Sequence, residues 1–366
     1  MFRVNPISGG MAQDIPQQRT RGALSNRPGR YELDSVAEDD GWAADDEPAP
    51  PLRTMVTADA TRSVITRNDS PDVGFDRSIN PYRGCEHGCV YCFARPTHAW
   101  LGLSPGLDFE SRLLCKPEAA SLLERELRRP NYRCLPIAMG TNTDPYQPVE
   151  RRLRITRAIL EVLSAFGHPL TITTKSALVL RDLDLLAPMA ERDLVRVAVS
   201  ITTLDRGLAR RMEPRAATPQ RRLDTIRALA EAGIPTAVMV APLIPVITDG
   251  EMEAILTAAR EAGARHAGYI LIRLPLEVSD LFDEWLRVHF PGKAGHVSSL
   301  IRQMREGRLY DPSWRKRQTG TGAHADLLAQ RFRVAARRLG LDRDPPPLNV
   351  DRFRPPPRAG EQLRLL

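Results

Sequence analysis

The segment LTITTKSALVLRDLDLLAPMAERDLVRVAVSI, residues 170–201, sets the architecture. It opens with an apolar run, LTITT at 170–174, continues through a helical pattern at 180–192 and ends in VRVAVSI at 195–201. Strand, helix and strand in so short a span is the pattern of a parallel pair joined by a crossover. The same alternation extends to both sides. LPIAM at 135–139, TAVMVA at 236–241 and YILIRL at 269–274 read as further strands, and helices are expected at 148–166, 219–232, 250–262 and 278–289. A strand ending near Asn80 completes six strand–helix units. The expected fold class is α/β: a partial TIM-type (βα)6 barrel of parallel strands, with an open doubly wound sheet as the other way to arrange the same units. Ile172, Val197, Val199, Val238 and Val240 are assigned to the core.

Three regions follow from composition. Residues 1–70 are expected to form an acidic, disordered tail, because Glu32–Glu47 carries eight acidic residues and no basic one and is followed by PAPP at 48–51. Residues 71–290 form the barrel core. Residues 291–366 form a basic C-terminal extension, with helices expected at 299–310 and 323–341 before a proline-rich end. From residue 301 onward, 15 basic residues face 7 acidic ones. The whole chain carries +7, and all but four of its 52 basic residues are arginine, which permits a polyanionic partner without requiring one. No apolar run approaches the length of a membrane span, and the first residues lack a basic flank with an apolar stretch. A cytoplasmic protein that does not enter membranes is expected.

Cysteine usage narrows the chemistry. Of five cysteines, Cys85, Cys89 and Cys92 fall within NPYRGCEHGCVYCFARPTH at 80–98, in a C-x3-C-x2-C spacing. Three thiolates so close suit a small inorganic centre in a reducing compartment better than a disulfide scaffold. A structural zinc would need a fourth ligand, for which His87 or His98 is available. An iron–sulfur cluster of the 4Fe–4S type held by three thiolates leaves one iron open to a ligand.

The spacing, with the aromatic Tyr91 directly before its last cysteine, resembles the radical S-adenosylmethionine superfamily. The resemblance implies that Cys85, Cys89 and Cys92 hold a 4Fe–4S cluster and that Tyr91 stands near the adenine. It implies that the open iron chelates S-adenosylmethionine, and that one electron cleaves this cofactor to methionine and a 5'-deoxyadenosyl radical. That radical takes hydrogen from substrate. A closer likeness over roughly 75–280 is to the branch of spore photoproduct lyase and its uncharacterised relatives. It is carried by INPYRGCEHGCVYCFAR, MGTNTDPYQPVE at 139–150, TITTKSALVLRDLDLL at 171–186 and VSITTLDRGLARRMEPRAATPQRRLDTIRALAEAG at 199–233. That branch implies damaged DNA as one substrate class, a one-electron donor such as flavodoxin or ferredoxin, and a separate hydrogen-donating cysteine. Cys134 is the candidate donor, although a small core residue is the other reading; Cys115 is the second spare thiol.

Polar residues at the expected strand ends complete the candidate site. Gly140 permits close backbone approach, and Thr141 and Asp144 either bind the cofactor's amino group or cap the next helix. Tyr146, Gln147 and Glu150 belong to the same motif, Glu150 being placed to begin helix 148–166. Lys175 pairs with the cofactor carboxylate or reaches solvent. Ser200, chosen over Thr202, is a ribose contact in the resembling family. Glu213 and Arg215, near Arg210 and Arg211, serve cofactor or substrate, or form a loop ion pair. Arg273 is a carboxylate or phosphate binder or a rim arginine. The expected function is therefore a radical S-adenosylmethionine enzyme acting on an unidentified substrate, with DNA and RNA among the candidates. The alternative from another class is a non-catalytic zinc or iron–sulfur protein that binds nucleic acid through its basic end. No glycine-rich phosphate loop, zinc-protease helix or nucleophile elbow offers a third.

Overall fold

A computed structural model describes residues 21–31 and 52–357. The acidic run Glu32–Glu47 and the last nine residues lie outside the described residues. Ten strands are present among them: β1 Met55–Ala58, β2 Thr66–Arg67, β3 Arg77–Ile79, β4 Tyr82–Arg83, β5 Arg112–Cys115, β6 Ile137–Met139, β7 Leu170–Thr174, β8 Val195–Ser200, β9 Thr236–Leu243 and β10 His266–Leu271. The main sheet has the order β10-β9-β8-β7-β6-β3-β2, parallel throughout except for the antiparallel edge strand β2. Its six parallel strands follow one another in chain order. Each crossover therefore steps to the next position in one direction, which is the winding of a barrel; a doubly wound sheet would reverse from its middle.

Alternation along the strands separates two faces. Leu170 and Ile172 on β7, Val195, Val197 and Val199 on β8, and Val238 and Val240 on β9 are buried in one apolar core. The helices Ile155–Ala165, Pro219–Glu231 and Met252–Glu261 add Ile159, Ile226, Leu229 and Ile255 to that core. The intervening residues Ala138, Thr171, Thr173, Met239 and Ala241 face the barrel interior. Apart from Met239 these are small or polar side chains, and they leave space where the outer face is filled.

Several expected boundaries shift. Helix 148–166 is two pieces, Glu150–Leu153 and Ile155–Ala165, because Arg154 takes a left-handed conformation with φ 54°. The Glu150 carboxylate accepts the N–H of Thr156 at 3.0 Å, capping the second piece across that break. Helix 180–192 starts as a 3-10 turn at Ala177–Asp182 and becomes α-helical at Leu183–Ala190. The last strand lies at His266–Leu271, earlier than 269–274, where it registers with β9. The helix expected at 299–310 runs from Ala294 to Gln303, ending before Glu306 and Gly307, both with positive φ.

Residues 52–70, read from the sequence as the end of a tail, carry β1 and β2. β1 pairs in parallel with β5, and β4 pairs antiparallel to β5, forming a small second sheet. β1 is mostly exposed, so no apolar alternation announces it. The segment 21–31 is also ordered against the body: Arg30 pairs with Glu277 at 2.8 Å, and Ser25 donates to Glu284 at 2.7 Å. The C-terminal helix Ala323–Leu339 packs outside Met252–Glu261, with Arg331 and Glu253 paired at 2.7 Å.

Gly140, directly after β6, has φ 83°, and a Cβ there would stand 2.0 Å from the carbonyl oxygen of Thr173 on β7. Only glycine lets the two strand ends approach so closely. Gly140→Ala should cost ~3 kcal/mol or more, the left-handed penalty plus overpacking, read as a fall in the urea midpoint at unchanged slope.

Candidate functional site

The three cysteines lie on a loop between β4 and β5 that has little regular structure of its own and is held by side chains. Its backbone is pinned at Cys85, whose N–H donates to Phe109 O at 2.9 Å, and at Val90, whose N–H donates to Met212 O at 3.0 Å. Arg95, with no exposed surface, donates from Nε to Cys89 O at 2.9 Å and from Nη1 to Pro105 O and Gly106 O. Its guanidinium also meets the buried carboxylate of Glu110, which accepts the backbone N–H groups of Gly22 and Ala23 at 2.9 and 2.8 Å. Gln147 accepts the Glu86 N–H at 2.8 Å and donates to Gly84 O at 3.2 Å.

This loop and the C-terminal ends of the barrel strands enclose a cavity of about 420 Å³. Cys85, Cys89 and Cys92 all line it, together with Tyr91, Gly140, Thr141, Asp144, Lys175, Ser200 and Arg273. Those ten residues, separated by up to 188 positions in the chain, are brought to one wall by the barrel rim. The size lies in the range of cofactor and small-molecule sites.

Polar geometry divides the candidates into groups free to meet a ligand and groups already engaged. Asp144 is engaged: its carboxylate accepts from Tyr146 N–H at 2.9 Å, Thr174 Oγ1 at 2.7 Å and Lys175 N–H at 2.7 Å, and stands 3.4 Å from His87 Nδ1. Burial opposes its charge, but His87 and the hydrogen bonds from Lys175 and Thr174 outweigh burial and hold the carboxyl at about 2. Asp144 thus ties the end of β7 to the cysteine loop. Asn80 orders the loop after β6 by accepting from Asn142 N–H at 3.0 Å and donating to Thr141 Oγ1 at 3.1 Å. Among the described residues Lys175 Nζ makes no such bond, and it stands 5.9 Å from the centre of the Tyr91 ring.

Glu213 and Arg215 do not line the cavity. Glu213 accepts from Thr202 Oγ1 at 3.0 Å and closely from Tyr91 Oη and the Arg222 guanidinium, so it fixes the tyrosine from behind. Arg215 pairs with Glu86 at 3.0 Å and reaches Thr54 Oγ1 at 3.2 Å, bracing the outside of the cysteine loop. Cys134 precedes β6, at the opposite strand end from the cavity and near Arg77, and does not line the cavity; burial pushes its thiol up to about 11. Cys115 is buried on β5 within the core. Sequence reasoning did not single out Asn80, Arg95 or Glu110. The one signal available was that each lies inside or beside the cysteine-rich segment, where a buried charge would need a partner.

The donor set is suited to thiolate ligation. Burial pushes all three thiols up, so that unligated they are neutral and a cationic centre is needed to ionise them. Backbone N–H groups favour the thiolate form, from Asp144 toward Cys85 and from Ala94 and Arg95 toward Cys92, while Lys175 acts on Cys89 and Cys92. Among the described residues no group of three or more His, Cys, Asp or Glu is arranged to hold a single metal ion. Of the two histidines considered as zinc ligands, His87 lines the cavity with the three cysteines and turns its Nδ1 to Asp144 at 3.4 Å, whereas His98 Nε2 lies 2.9 Å from Arg112 O and does not line the cavity.

Two loops close the open side of the barrel. Asp72, after β2, pairs with Arg317 of the C-terminal extension at 2.5 Å, and the same guanidinium reaches Ser70. Leu271 N–H donates to Gln318 O at 2.8 Å, so the extension also pairs with the free edge of β10. Val73, Gly74, Phe75 and Gln318 from these loops line the cavity. The basic residues Arg333, Arg337 and Arg338 instead line a cleft on the outer helix. No helix among the described residues is long and apolar enough to cross a membrane.

The family described as the Radical SAM superfamily matches residues 79–259. An uncharacterised protein of Mycobacterium tuberculosis (strain H37Rv) is 41% identical over 244 residues, which cover 66% of this chain and 71% of the relative. An uncharacterised protein of Methanocaldococcus jannaschii is 30% identical over 173 residues, covering 47% of this chain and 62% of the relative. Among solved structures, a spore photoproduct lyase mutant superposes with a TM-score of 0.54 at 17% identity, covering 78% of each chain. Spore photoproduct lyase complexed with dinucleoside spore photoproduct gives 0.54 at 16% identity and the same coverage. At that identity the likeness is one of fold.

The Glu213–Arg222 pair is buried on both sides, with side-chain exposures of 0% and 2%. Glu213→Gln leaves the Arg222 charge without its counter-ion and should destabilise the protein by about 3–5 kcal/mol in chemical denaturation, the usual consequence of removing one partner of a buried pair.

Proposed function

The chain belongs to the radical S-adenosylmethionine superfamily, and from that premise we propose that it is an enzyme whose cavity holds a 4Fe–4S cluster on Cys85, Cys89 and Cys92 and S-adenosylmethionine beside it. The observation that carries this reading is the opening of all three thiols and the ends of the parallel strands onto one cavity. When bound, the cluster would supply the electron for reductive cleavage of S-adenosylmethionine to methionine and a 5'-deoxyadenosyl radical, which takes hydrogen from the substrate.

The chain's own residues would act by holding, orienting and shielding. Tyr91, fixed by Glu213, offers an aromatic face to the cavity, and Lys175 offers a cation beside it. Ser200 and Thr141 offer hydroxyls at two other strand ends. Asp144, with its oxygens already committed, is a positioning residue that keeps the cysteine loop and β7 in register. The Asp72–Arg317 clasp and the apolar Phe75 and Phe93 restrict water, which a reactive carbon radical requires.

The lyase reaction is not transferred with the fold. The spare thiol at Cys134 is a strand's length from the cavity, and the basic outer helix does not border the cavity. The reading is therefore of radical chemistry on a substrate still to be found, with DNA as one candidate to test. Against the zinc alternative, His98 lies away from the cavity, and among the described residues no group of three or more His, Cys, Asp or Glu is arranged to hold a single ion, although His87 lines the cavity.

Anaerobic reconstitution should load about four irons per chain, and reduction by dithionite with S-adenosylmethionine should release 5'-deoxyadenosine, measured by mass spectrometry. Alanine at Cys85, Cys89 or Cys92 should abolish both, whereas Cys134→Ala should retain its iron. One zinc per chain with no cofactor cleavage would overturn the assignment.

A further inference from the structure

We infer that Arg273 anchors an anionic group, a carboxylate or phosphate, carried by the substrate; this rests on the radical reading above and names the chemistry of the second ligand in the same cavity. Arg273 follows β10 and lines the cavity, with its guanidinium 4.3 Å from the centre of the Phe93 ring. Its Nε is buried without a hydrogen-bond partner, and no described residue forms a hydrogen bond or ion pair with its guanidinium. Neighbouring charges are satisfied. Arg317 is paired with Asp72, and Arg305 donates to Lys316 O at 2.6 Å and Ile272 O at 3.0 Å. Arg273 is the cation at this end of the cavity that lacks such partners among the described residues.

A guanidinium whose Nε is buried without an acceptor is costly, and a bidentate anion that meets Nε and a terminal nitrogen together satisfies it better than water at the terminal nitrogens alone. Phe93 holds one face of the planar group by cation–π contact and leaves its hydrogen-bonding edge available. Gln318, whose side chain has no intramolecular hydrogen bond among those described, lines the same cavity and adds a neutral donor. Among the described residues the cavity therefore carries two cations without a hydrogen bond or ion pair, Lys175 beside Tyr91 and Arg273 beside Phe93. S-adenosylmethionine has a single carboxylate. With Lys175 facing that group, Arg273 is left for an anion on the substrate. At about 420 Å³, with the cofactor occupying much of the space, the substrate enters as a small molecule or as one unit or end of a larger one.

The test uses the reconstituted full-length protein under anaerobic conditions, in equilibrium dialysis with radiolabelled inorganic phosphate and, separately, acetate. S-adenosylmethionine binding is first measured by calorimetry, so that failure of the radical reading shows as absence of cofactor binding. Phosphate or acetate should then bind with saturating S-adenosylmethionine present, and the anion bound more tightly identifies the group carried by the substrate. Arg273→Met should weaken that binding by at least tenfold, and Arg273→Lys, which keeps the charge and loses the fork, should fall between. Circular dichroism and iron content report whether each variant folds; the competition with cofactor needs only the unaltered protein. Expulsion of the anion by S-adenosylmethionine would assign Arg273 to the cofactor and overturn the inference, as would equal binding to Arg273→Met or no binding of either anion.

Discussion

Glu110 has no exposed surface, yet its carboxylate ties the cysteine loop to residues 22–23, which lie far away in sequence. It faces the Arg95 guanidinium, which in turn donates to Cys89 O, and it accepts the backbone N–H groups of Gly22 and Ala23. The cysteine loop has no strand ladder of its own, so this buried charge, together with the backbone bonds to Phe109 O and Met212 O and the bonds from Gln147, holds the three thiols on the cavity wall. Burying a carboxylate is tolerable only when its lone pairs are filled by charged or strong donors. The segment 21–31 is thereby drawn into the body of the protein: a Cβ on Gly22 would lie 1.6 Å from Gly88 O, so the strap touches the loop backbone directly.

The barrel supplies the other half of the constraint. Six parallel strands in chain order end at one rim, and small residues on their inner face leave room for ligands. An open sheet of this kind exposes two edges. Here β2 and its following loop cover one, while the C-terminal extension pairs with β10 at the other. The Asp72–Arg317 pair joins the two covers over the cavity, with the Asp72 side chain only 2% exposed. Closure of the site is thus built from the segments that lie outside the repeating strand–helix units.

Much of this was legible in order of physical strength. The strands at 170–174 and 195–200 were readable because both have an apolar face on the core and inward residues of another character. The cysteine spacing was readable because it is local. Helix 148–166 reads as continuous because the left-handed turn at Arg154, bridged by the bond from Thr156 N–H to Glu150, leaves no mark in the periodicity. β1 was missed because its residues are mostly exposed and its partner β5 is more than fifty residues away. Asp144 was identified as a rim residue but not as a saturated one, since whether a carboxylate faces a ligand or a backbone depends on what folds beside it.

The sequence by itself determined the parallel strand–helix succession and the set of three clustered thiols, because periodicity and short spacing act within a turn or a strand. It also placed Gly140, Thr141, Lys175 and Ser200 at strand ends, which is enough to bring them to one rim once the strands are parallel. Only the tertiary structure decided that the strands wind as a barrel and that Glu213 stands behind Tyr91. It alone left Cys134 at the far end of β6 and, among the described residues, the Arg273 guanidinium without a hydrogen-bond or ion-pair partner. Those outcomes depend on which charges meet across tens to hundreds of residues, and the free energy of a buried charge is set by its neighbours in space.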